Sequence, residues 1–416
     1  MSNLEELIER LCPDGVEYKR LGDIGRISMC KRVLKSQTNS VSGVPFYKIG
    51  TFGKEADSYI SEELFLDYKS RYPYPQKGDV LISASGTIGR TVIFDGKPSY
   101  FQDSNIIWVA NNEEFLTNKF LYYIYQTNPW KVADGGTIQR LYNSDLEKIK
   151  LPVPPLEVQR EIVRILDSFT ELEKELEKEL AARQKQYEYY RDLLLTFKPN
   201  ESTILNERTN ELELSGTIRW MKLGDICLHS YSGATPKKSN SEYYTNGTIP
   251  WIRTQDVVFN SIYKVDAYIT EKAVQETGAK WIPENCVIVA ISGASAGRCA
   301  INKIKATTNQ HCLNMEIDSS KALYKYVFYC LCNKEEELIL KKQGARGDLN
   351  SSIILGMKIP IPPLEQQQRI VDILDRFDTL CNDISSGLPA EIEARQKQYE
   401  YYRDKLLNFK ELKKEA

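Results

Sequence analysis

The sequence has little of what metal-dependent or nucleotide-dependent chemistry needs. Only two of the 416 residues are histidines, His229 and His311, and neither has other candidate ligands at metal-binding spacing. There is no Cys-x-x-Cys pair, and the nine scattered cysteines are typical of reduced, mostly buried thiols. A GxxxxGK[ST] loop and a glycine-rich dinucleotide turn are both missing. The sequence therefore lacks a credible catalytic constellation, bound metal or nucleotide cofactor.

Long apolar runs and an excess of either charge are missing too. The longest apolar run is residues 326–332, whereas a membrane-spanning helix needs about 20 residues. Residues 1–6 have neither the basic flank nor the apolar stretch of a signal peptide, so we expect a cytoplasmic protein with no membrane contact. The net charge of −2 excludes binding to nucleic acid by bulk charge alone, but it does not exclude a locally basic face.

The sequence does contain an internal repeat. Residues 182–192, ARQKQYEYYRD, recur unchanged at 394–404, and LPVPPLE at 151–157 resembles IPIPPLE at 359–365. Each half therefore has a variable stretch of roughly 140 residues, then a Pro-Pro-Leu-Glu turn, then a charged segment. Duplication need not mean a paired function. Two near-identical supports that carry two divergent modules nevertheless favour a device that reads two different things.

The charged segments are predicted to be long helices. Their apolar residues recur at steps of three and four, the heptad pattern of a coiled coil, and each segment follows a proline pair that suits a helix start. The two helices would bury their apolar stripes most economically against each other. The second segment carries four extra residues, and SGLP at 386–389 predicts a break or kink there.

These patterns predict an α+β protein built as a pseudo-two-fold internal repeat, with two globular domains separated by two long helices. Short β-branched runs in the modules predict strands, whereas the aromatic-rich residues 120–125 and 326–332 fit either a helix or a strand. The predicted boundaries are 1–150 for the first module, 151–198 for the first long helix, 199–216 for a polar linker, 217–358 for the second module and 359–412 for the second long helix.

Two kinds of local pattern suit DNA binding. Basic residues cluster in both modules, and small-residue turns or loops that contain Arg follow a strand or precede a long helix. Hydroxyls and exposed amides suit phosphate oxygens, and Arg suits a guanine edge. Ordinary surface lysines and turns that need glycine for backbone reasons remain the alternatives. The candidates are Lys19, Arg20, Lys31, Arg32, Lys35, Ser85, Thr87, Arg90, Gln139 and Arg140 in the first module, and Lys237, Lys238, Ser295, Arg298 and Arg346 in the second.

With these residues in view, nearly the whole chain resembles the DNA specificity subunits of type I restriction–modification systems. The most specific motif is PPLE…QxxIV, present at 154–163 and again at 362–371. The order and duplication of the motifs carry the resemblance. The other carrying segments are CPDGVEY at 12–18, GDVLI at 78–82, SGTIGR at 85–90 and GTIQ at 136–139.

The resemblance implies two target recognition domains, each of which reads one half of a bipartite site in double-stranded DNA. It implies that the long helices pair as an antiparallel coiled coil and set the gap between the half-sites. It also implies partners: two modification subunits that use S-adenosylmethionine to methylate adenine, and restriction subunits that use ATP and Mg²⁺. The chain itself would be a recognition subunit and not an enzyme.

Two other interpretations remain open at this point. One is the specificity chain of a related system in which a single partner polypeptide both methylates and cleaves. The other is a coiled-coil scaffold that joins two protein-binding modules, which predicts no salt-dependent affinity for DNA.

Overall fold

The computed structural model describes residues 2–86, 88–130, 140–197, 204–206, 211–213, 218–343, 348–383 and 385–412. Internal contacts divide the chain into two compact units. Unit 1 comprises Met1–Glu177 with Glu391–Ala416, and unit 2 comprises Lys178–Ala390. Each unit therefore combines one globular α+β domain with parts of both charged segments.

Helices and strands are numbered along the chain. The α-helices of the described residues are α1 (Ser2–Leu11), α2 (Leu21–Ile24), α3 (Glu62–Arg71), α4 (Asn118–Gln126), α5 (Asn143–Leu146), α6 (Leu156–Leu195), α7 (Glu271–Glu276), α8 (Tyr324–Cys332), α9 (Glu335–Leu340), α10 (Ser351–Leu355), α11 (Leu364–Asn382) and α12 (Leu388–Leu406). Single 3₁₀ turns lie at Lys35–Gln37, Leu223–Ile226, Ser241–Tyr243 and Thr254–Asp256.

The strands of the described residues follow the same order. They are β1 (Glu17–Arg20), β2 (Gly25–Met29), β3 (Thr38–Asn39), β4 (Val44–Tyr47), β5 (Tyr59–Ile60), β6 (Val80–Ser83), β7 (Thr91–Ile93), β8 (Tyr100–Phe101), β9 (Ile106–Asn111), β10 (Lys150–Val153), β11 (Ile204–Asn206), β12 (Glu211–Glu213), β13 (Arg219–Lys222), β14 (Cys227–Ser232), β15 (Ile249–Ile252), β16 (Asn260–Ile262), β17 (Tyr268–Ile269), β18 (Trp281–Ile282), β19 (Val287–Ala290), β20 (Cys299–Asn302), β21 (Ala306–Thr308), β22 (Cys312–Ile317) and β23 (Lys358–Ile361).

The domain of unit 1 is built around an antiparallel sheet with the strand order β2-β9-β6-β7. Strand β6 is buried throughout, and its side chains alternate between two apolar clusters, as the two-residue period of a strand requires. Val80 and Ile82 pack with α4, whereas Leu81 packs with the small sheet β3-β5-β4-β8. The sheet is thus covered on both faces.

Unit 2 repeats this plan with a five-stranded sheet, β14-β22-β19-β20-β16, and a four-stranded sheet, β17-β15-β21-β18. Strand β19 alternates in the same way: Val287 and Val289 pack with α8, and Ile288 packs in the other cluster. Both aromatic-rich segments whose sequence fits helix or strand are helices, α4 and α8.

Equivalent helix pairs stabilise the two units. In unit 1 the Phe169 and Tyr402 rings stack with centroids 5.5 Å apart, and Gln396 Nε2 donates to Glu173 Oε1 at 2.6 Å. Residue numbers rise along α6 as they fall along α12, so the helices are antiparallel. In unit 2 the equivalent stack joins Tyr190 on α6 to Phe377 on α11 at 5.5 Å. The predicted α+β fold with antiparallel helices is confirmed.

The second charged segment contains two helices, as its SGLP sequence predicts. Helix α11 ends at Asn382 and α12 begins at Leu388. Between them the Asp383 carboxylate accepts hydrogen bonds from Ser385 N and Ser386 Oγ at 2.7 and 2.6 Å. A Cβ on Gly387 would lie 2.4 Å from the Thr379 carbonyl oxygen, so the backbone there needs glycine.

The helix limits differ from the predicted segments at both N-termini. Residues Lys150–Val153 and Lys358–Ile361 are strands that pair with β1 and β13, so neither helix reaches back to residue 151 or 359. The described residues of 359–412 therefore begin in a strand and contain two helices, the second of which ends at Leu406, because the proline pairs end a strand before each first helix begins. The predicted linker, 199–216, lies mostly outside the described residues; within it β11 pairs with β12. The domain boundaries themselves stay predictions.

Candidate nucleic-acid interface

In unit 1, three sequence-predicted residues from separate segments meet at residues 103–105, the loop before β9. Arg32, Ser85 and Arg140 each contact one residue of this loop. Ser104 has a positive φ of 49°, which turns the backbone between Asp103 and Asn105. The contacts are Arg32 Nε to Asp103 Oδ2 at 4.0 Å, Arg140 Nη2 to Ser104 O at 3.0 Å and Ser85 Oγ to Asn105 Oδ1 at 2.7 Å.

The turn that presents Ser85 is held by backbone hydrogen bonds. Ser83 N donates to Arg90 O at 2.9 Å, and Gly89 N donates to Ser83 O at 3.0 Å. Gly86 and Gly89 have φ values of 67° and 85°, which favour glycine. The Arg90 side chain is partly engaged, since its Nη1 donates to Phe52 O at 2.8 Å. The turn thus needs its glycines and also presents polar groups.

A basic patch on aromatic rings adds two residues that sequence reasoning missed, Lys69 and Arg71 in the last turn of α3. Lys31 Nζ lies 5.1 Å from the Tyr72 ring centroid, and the Arg71 guanidinium lies 5.7 Å from the same ring. Lys69 Nζ lies 5.0 Å from the Tyr74 ring. These contacts place three exposed cations against the rings of Tyr72 and Tyr74. The alternation of basic and aromatic residues in YKSRYPY, 68–74, is the signal that could have identified them.

Unit 2 closes an equivalent turn, one residue longer, with different side chains. Ala290 N donates to Arg298 O, and Gly297 N donates to Ala290 O, both at 2.9 Å. The segment that precedes the long helix is attached to this turn in the same way in both units. Leu349 N donates to Ile291 O at 2.8 Å, as Leu141 N does to Ala84 O. Asp348 consequently takes the place of Arg140. Its Oδ1 accepts a hydrogen bond from Ser292 Oγ at 2.5 Å.

The neighbouring loop of unit 2 is polar and mostly uncharged. Thr235 Oγ1 donates to the Gln310 side chain, and Gln310 Nε2 lies 3.1 Å from His311 Nε2. Lys237 and Lys238 are exposed after Thr235. Gln310 and His311 are further residues that sequence reasoning missed. Their local signal was the short polar sequence Asn-Gln-His between β21 and β22.

Other predicted site residues lie elsewhere in the described chain or fall outside it. Lys19 and Arg20 belong to β1, which pairs with β10, and Lys19 Nζ lies 4.4 Å from the Phe115 ring centroid. Lys35 is exposed in a 3₁₀ turn, and Ser295 lies within the turn that ends at Arg298. Thr87, Gln139 and Arg346 lie outside the described residues. That any of these residues contacts DNA stays a prediction.

Two other kinds of feature are missing from the described residues. Among them, no group of three or more His, Cys, Asp and Glu side chains is arranged to hold a metal ion. No helix in the described part of the chain is both long and apolar enough to cross a membrane.

Comparison with known proteins identifies the family. A family model described as the type I restriction modification DNA specificity domain matches residues 13–182 and again 217–394. The chain belongs to this family. Its two matches coincide with the two halves of the internal repeat, so this specificity subunit carries two DNA specificity domains. The family is one of recognition subunits rather than catalytic ones.

Individual relatives agree with this assignment. The specificity subunit of the type I restriction enzyme EcoR124I/EcoR124II from Escherichia coli is 34% identical over 98% of this chain and 97% of its own length. A putative type I restriction enzyme specificity subunit from Haemophilus influenzae is 59% identical, over 42% of this chain and 47% of its own. A solved chain from a study of assembly and conformational transition of the type I R-M system has a TM-score of 0.63 at 18% identity, over 96% of this chain and 98% of that one, which supports the fold.

Proposed function

We propose that this specificity subunit directs its complex to a bipartite DNA target and reads one half-site with each unit. The observation that carries the proposal is the shared turn with different side chains in the two units. Unit 1 sets Arg140 beside Ser85, and unit 2 sets Asp348 beside Ser292. Two recognition surfaces with different side chains, held on equivalent turns, suit two half-sites of different sequence.

Base reading follows from the donors and acceptors at each turn. Arg140 in unit 1 suits the two acceptors of a guanine edge. In unit 2 the Asp348 carboxylate suits the amino donor of cytosine, and the Gln310 amide suits adenine. The exposed cations Lys31, Lys69 and Arg71 would contact phosphates and position unit 1 without reading sequence.

The partners in this proposal are two modification subunits that bind S-adenosylmethionine and methylate adenine, and restriction subunits that use ATP and Mg²⁺. The chain itself would bind none of these cofactors and would act in the cytoplasm. The repeated ARQKQYEYYRD sequence supports two copies of one partner. It exposes the same tyrosine twice, Tyr189 at 64% and Tyr401 at 62%. Two identical exposed aromatic surfaces suit two identical partner surfaces.

The gap between half-sites would be set by the paired helices. The break at residues 383–387 holds the extra length of the second charged segment. Deleting residues 386–389 should therefore change the preferred gap and leave both half-site sequences unchanged. An unchanged gap would contradict the role of these helices as a ruler.

The test is a map of modified bases in a host genome after co-expression of this chain with its adjacent methylase. We expect a bipartite motif with adenine methylated in both halves. If the complex is intact and no new methylation is found, the proposal is wrong. A protein scaffold would then be the better account, and a complex that binds no DNA at any salt concentration would support it.

A further inference from the structure

A buried glutamine occupies the same position near the start of α6 and of α11. Gln159 and Gln367 are both 0% exposed. In each unit the amide oxygen accepts a backbone N–H, and the amide nitrogen donates to two carbonyl oxygens. The bonds of Gln159 are to Thr117 N at 2.8 Å, Phe115 O at 2.7 Å and Pro154 O at 2.8 Å; those of Gln367 are to Leu323 N at 2.8 Å, Lys321 O at 3.2 Å and Pro362 O at 2.8 Å.

These glutamines join two parts of each unit. Residues 115–117 lead directly into α4, and residues 321–323 lead directly into α8. Each glutamine therefore ties the beginning of a recognition-domain helix to the beginning of a long helix. Because its donors and acceptor all serve backbone groups, the bond geometry is independent of the divergent side chains around it.

A second joint lies eight residues further along each long helix. Asp167 on α6 accepts from Tyr123 Oη at 2.5 Å and pairs with Lys119 Nζ at 3.1 Å. On α11, Asp375 accepts from Tyr329 Oη at 2.7 Å and also pairs with Lys325. Burial, and then the aspartate contact, raises the pKa of both tyrosines, so each hydroxyl stays protonated and donates.

Two joints constrain what one cannot. A single attachment would let α4 or α8 rotate about the contact. Eight helical residues separate the joints by about 12 Å, so together they fix the direction of the recognition-domain helix on the long helix. Both joints recur in both units although the loops of the two domains differ, which separates them from the parts that read sequence.

We propose that Gln159 with Asp167, and Gln367 with Asp375, are positioning residues that hold each recognition domain at a fixed angle on its long helix, so that the complex accepts one gap length. The inference rests on the proposed function, because gap selection presupposes a bipartite target. It goes further by placing gap stringency in these joints as well as in helix length.

The experiment uses the full chain in complex with its adjacent methylase. Tyr123→Phe and Tyr329→Phe, singly and together, keep both rings and remove only the hydroxyls, whereas removing a glutamine would leave three buried backbone groups unpaired. Methylation rates are measured on duplexes with the native half-sites and with gaps one or two base pairs shorter or longer. We expect the rate at altered gaps, relative to the native gap, to rise about tenfold in each single variant, the effect of losing one hydrogen bond to a charged group, and to rise further in the double variant.

Two matched controls remove interactions within the long helices. Glu161→Ala removes the ion pair with Arg164 on α6, and Asp372→Ala removes the hydrogen bond from Gln368 on α11. Neither contact reaches a recognition domain, so both gap profiles should match that of the native chain. If the phenylalanine variants fail to assemble, Asp167→Ala with Asp375→Ala, which removes the acceptor of both tyrosine hydroxyls, takes their place.

Each outcome has a distinct meaning. A wild-type gap profile in the assembled double variant would overturn the inference. A native complex that methylates all gap lengths alike would instead overturn the proposed function, since no gap is then selected. If the range of accepted gaps broadens and the half-site sequences change as well, the inference is also overturned, because the joints would then act on base reading.

Discussion

Unit 1 and unit 2 close an equivalent turn, one residue longer in unit 2, with the same pair of backbone hydrogen bonds but set opposite charges beside it. In unit 1 the residue beside the turn is Arg140, and in unit 2 it is Asp348. The turn glycines, the buried strand and the attachment to the long helix are alike. The comparison shows that support and reading surface are separable in this chain. The residues that hold each domain in place are the same in both units, whereas the residues at the edge of the domain differ.

Helices α3 and α7 also share their support and differ in their charge. Both α3 and α7 begin with a hydroxyl cap, Ser61 or Thr270, that accepts from a backbone N–H. Helix α3 ends in exposed Lys69 and Arg71, whereas in α7 the Lys272 ammonium pairs with Glu242. Arg71 also pairs with Asp67 on its own helix, so Lys69 is the less neutralised of the two. We expect phosphate attraction to be stronger at unit 1.

The largest expected difference concerns the turn glycines. Gly89 and Gly297 have φ values of 85° and 95°, but a Cβ on Gly89 would lie 2.7 Å from both Asn128 and Trp130 atoms, whereas one on Gly297 would lie 3.4 Å from Leu338. Gly89→Ala should cost about 2–5 kcal/mol and Gly297→Ala about 1–2 kcal/mol, since only the first adds overpacking to backbone strain. Thermal unfolding of the two variants checks this, and equal destabilisation would contradict it.

The next prediction separates the two reading residues. Arg140→Ala should weaken binding to the native target by about 1–3 kcal/mol and relax selectivity in the first half-site only. Asp348→Ala should relax selectivity in the second half-site only, and should slightly strengthen non-specific binding because a carboxylate near phosphates is removed. Competition binding with each half-site randomised in turn distinguishes them. Relaxed selectivity in the same half-site for both variants would refute the assignment.

The smallest expected effect concerns the basic patch. Lys69→Ala should weaken binding to all sequences alike, and should lower the slope of log affinity against log salt by about 0.9 for each phosphate that is no longer neutralised. Lys272→Ala in unit 2 is the matched control, because its ammonium is already paired with Glu242. Titrations at several salt concentrations measure the slopes. An equal change for Lys272→Ala would contradict the predicted asymmetry.

Local features of the fold could be predicted from the sequence because they depend on nearby residues. The heptad steps indicated the long helices, and Gly387 with its neighbours indicated the break. Helices α4 and α8 were ambiguous, because both are short and rich in aromatic and β-branched residues, which also favour strands. Their sequences lack the alternation that would have decided between helix and strand.

The candidate site could be predicted only in pieces. Ser85 and Arg140 each stand in a suggestive loop, but their proximity depends on an isolated bridge between two segments that are distant in sequence. Asp348 is visible in the sequence only as a departure from the pattern of the first module. Arg71 joins Lys31 through the Tyr72 ring, a tertiary contact that no local pattern encodes.

The central claim is that each unit reads its own half-site on an interchangeable support. The most direct measurement is a map of modified bases for a chain in which residues 25–150 are replaced by residues 227–358, co-expressed with the adjacent methylase. The exchanged segment brings Tyr329 and Lys325 to the joint at Asp167, so it should seat as the original does. We predict that the second half-site appears on both sides of the gap. Retention of the native first half-site, or absence of methylation from an intact complex, would contradict the account.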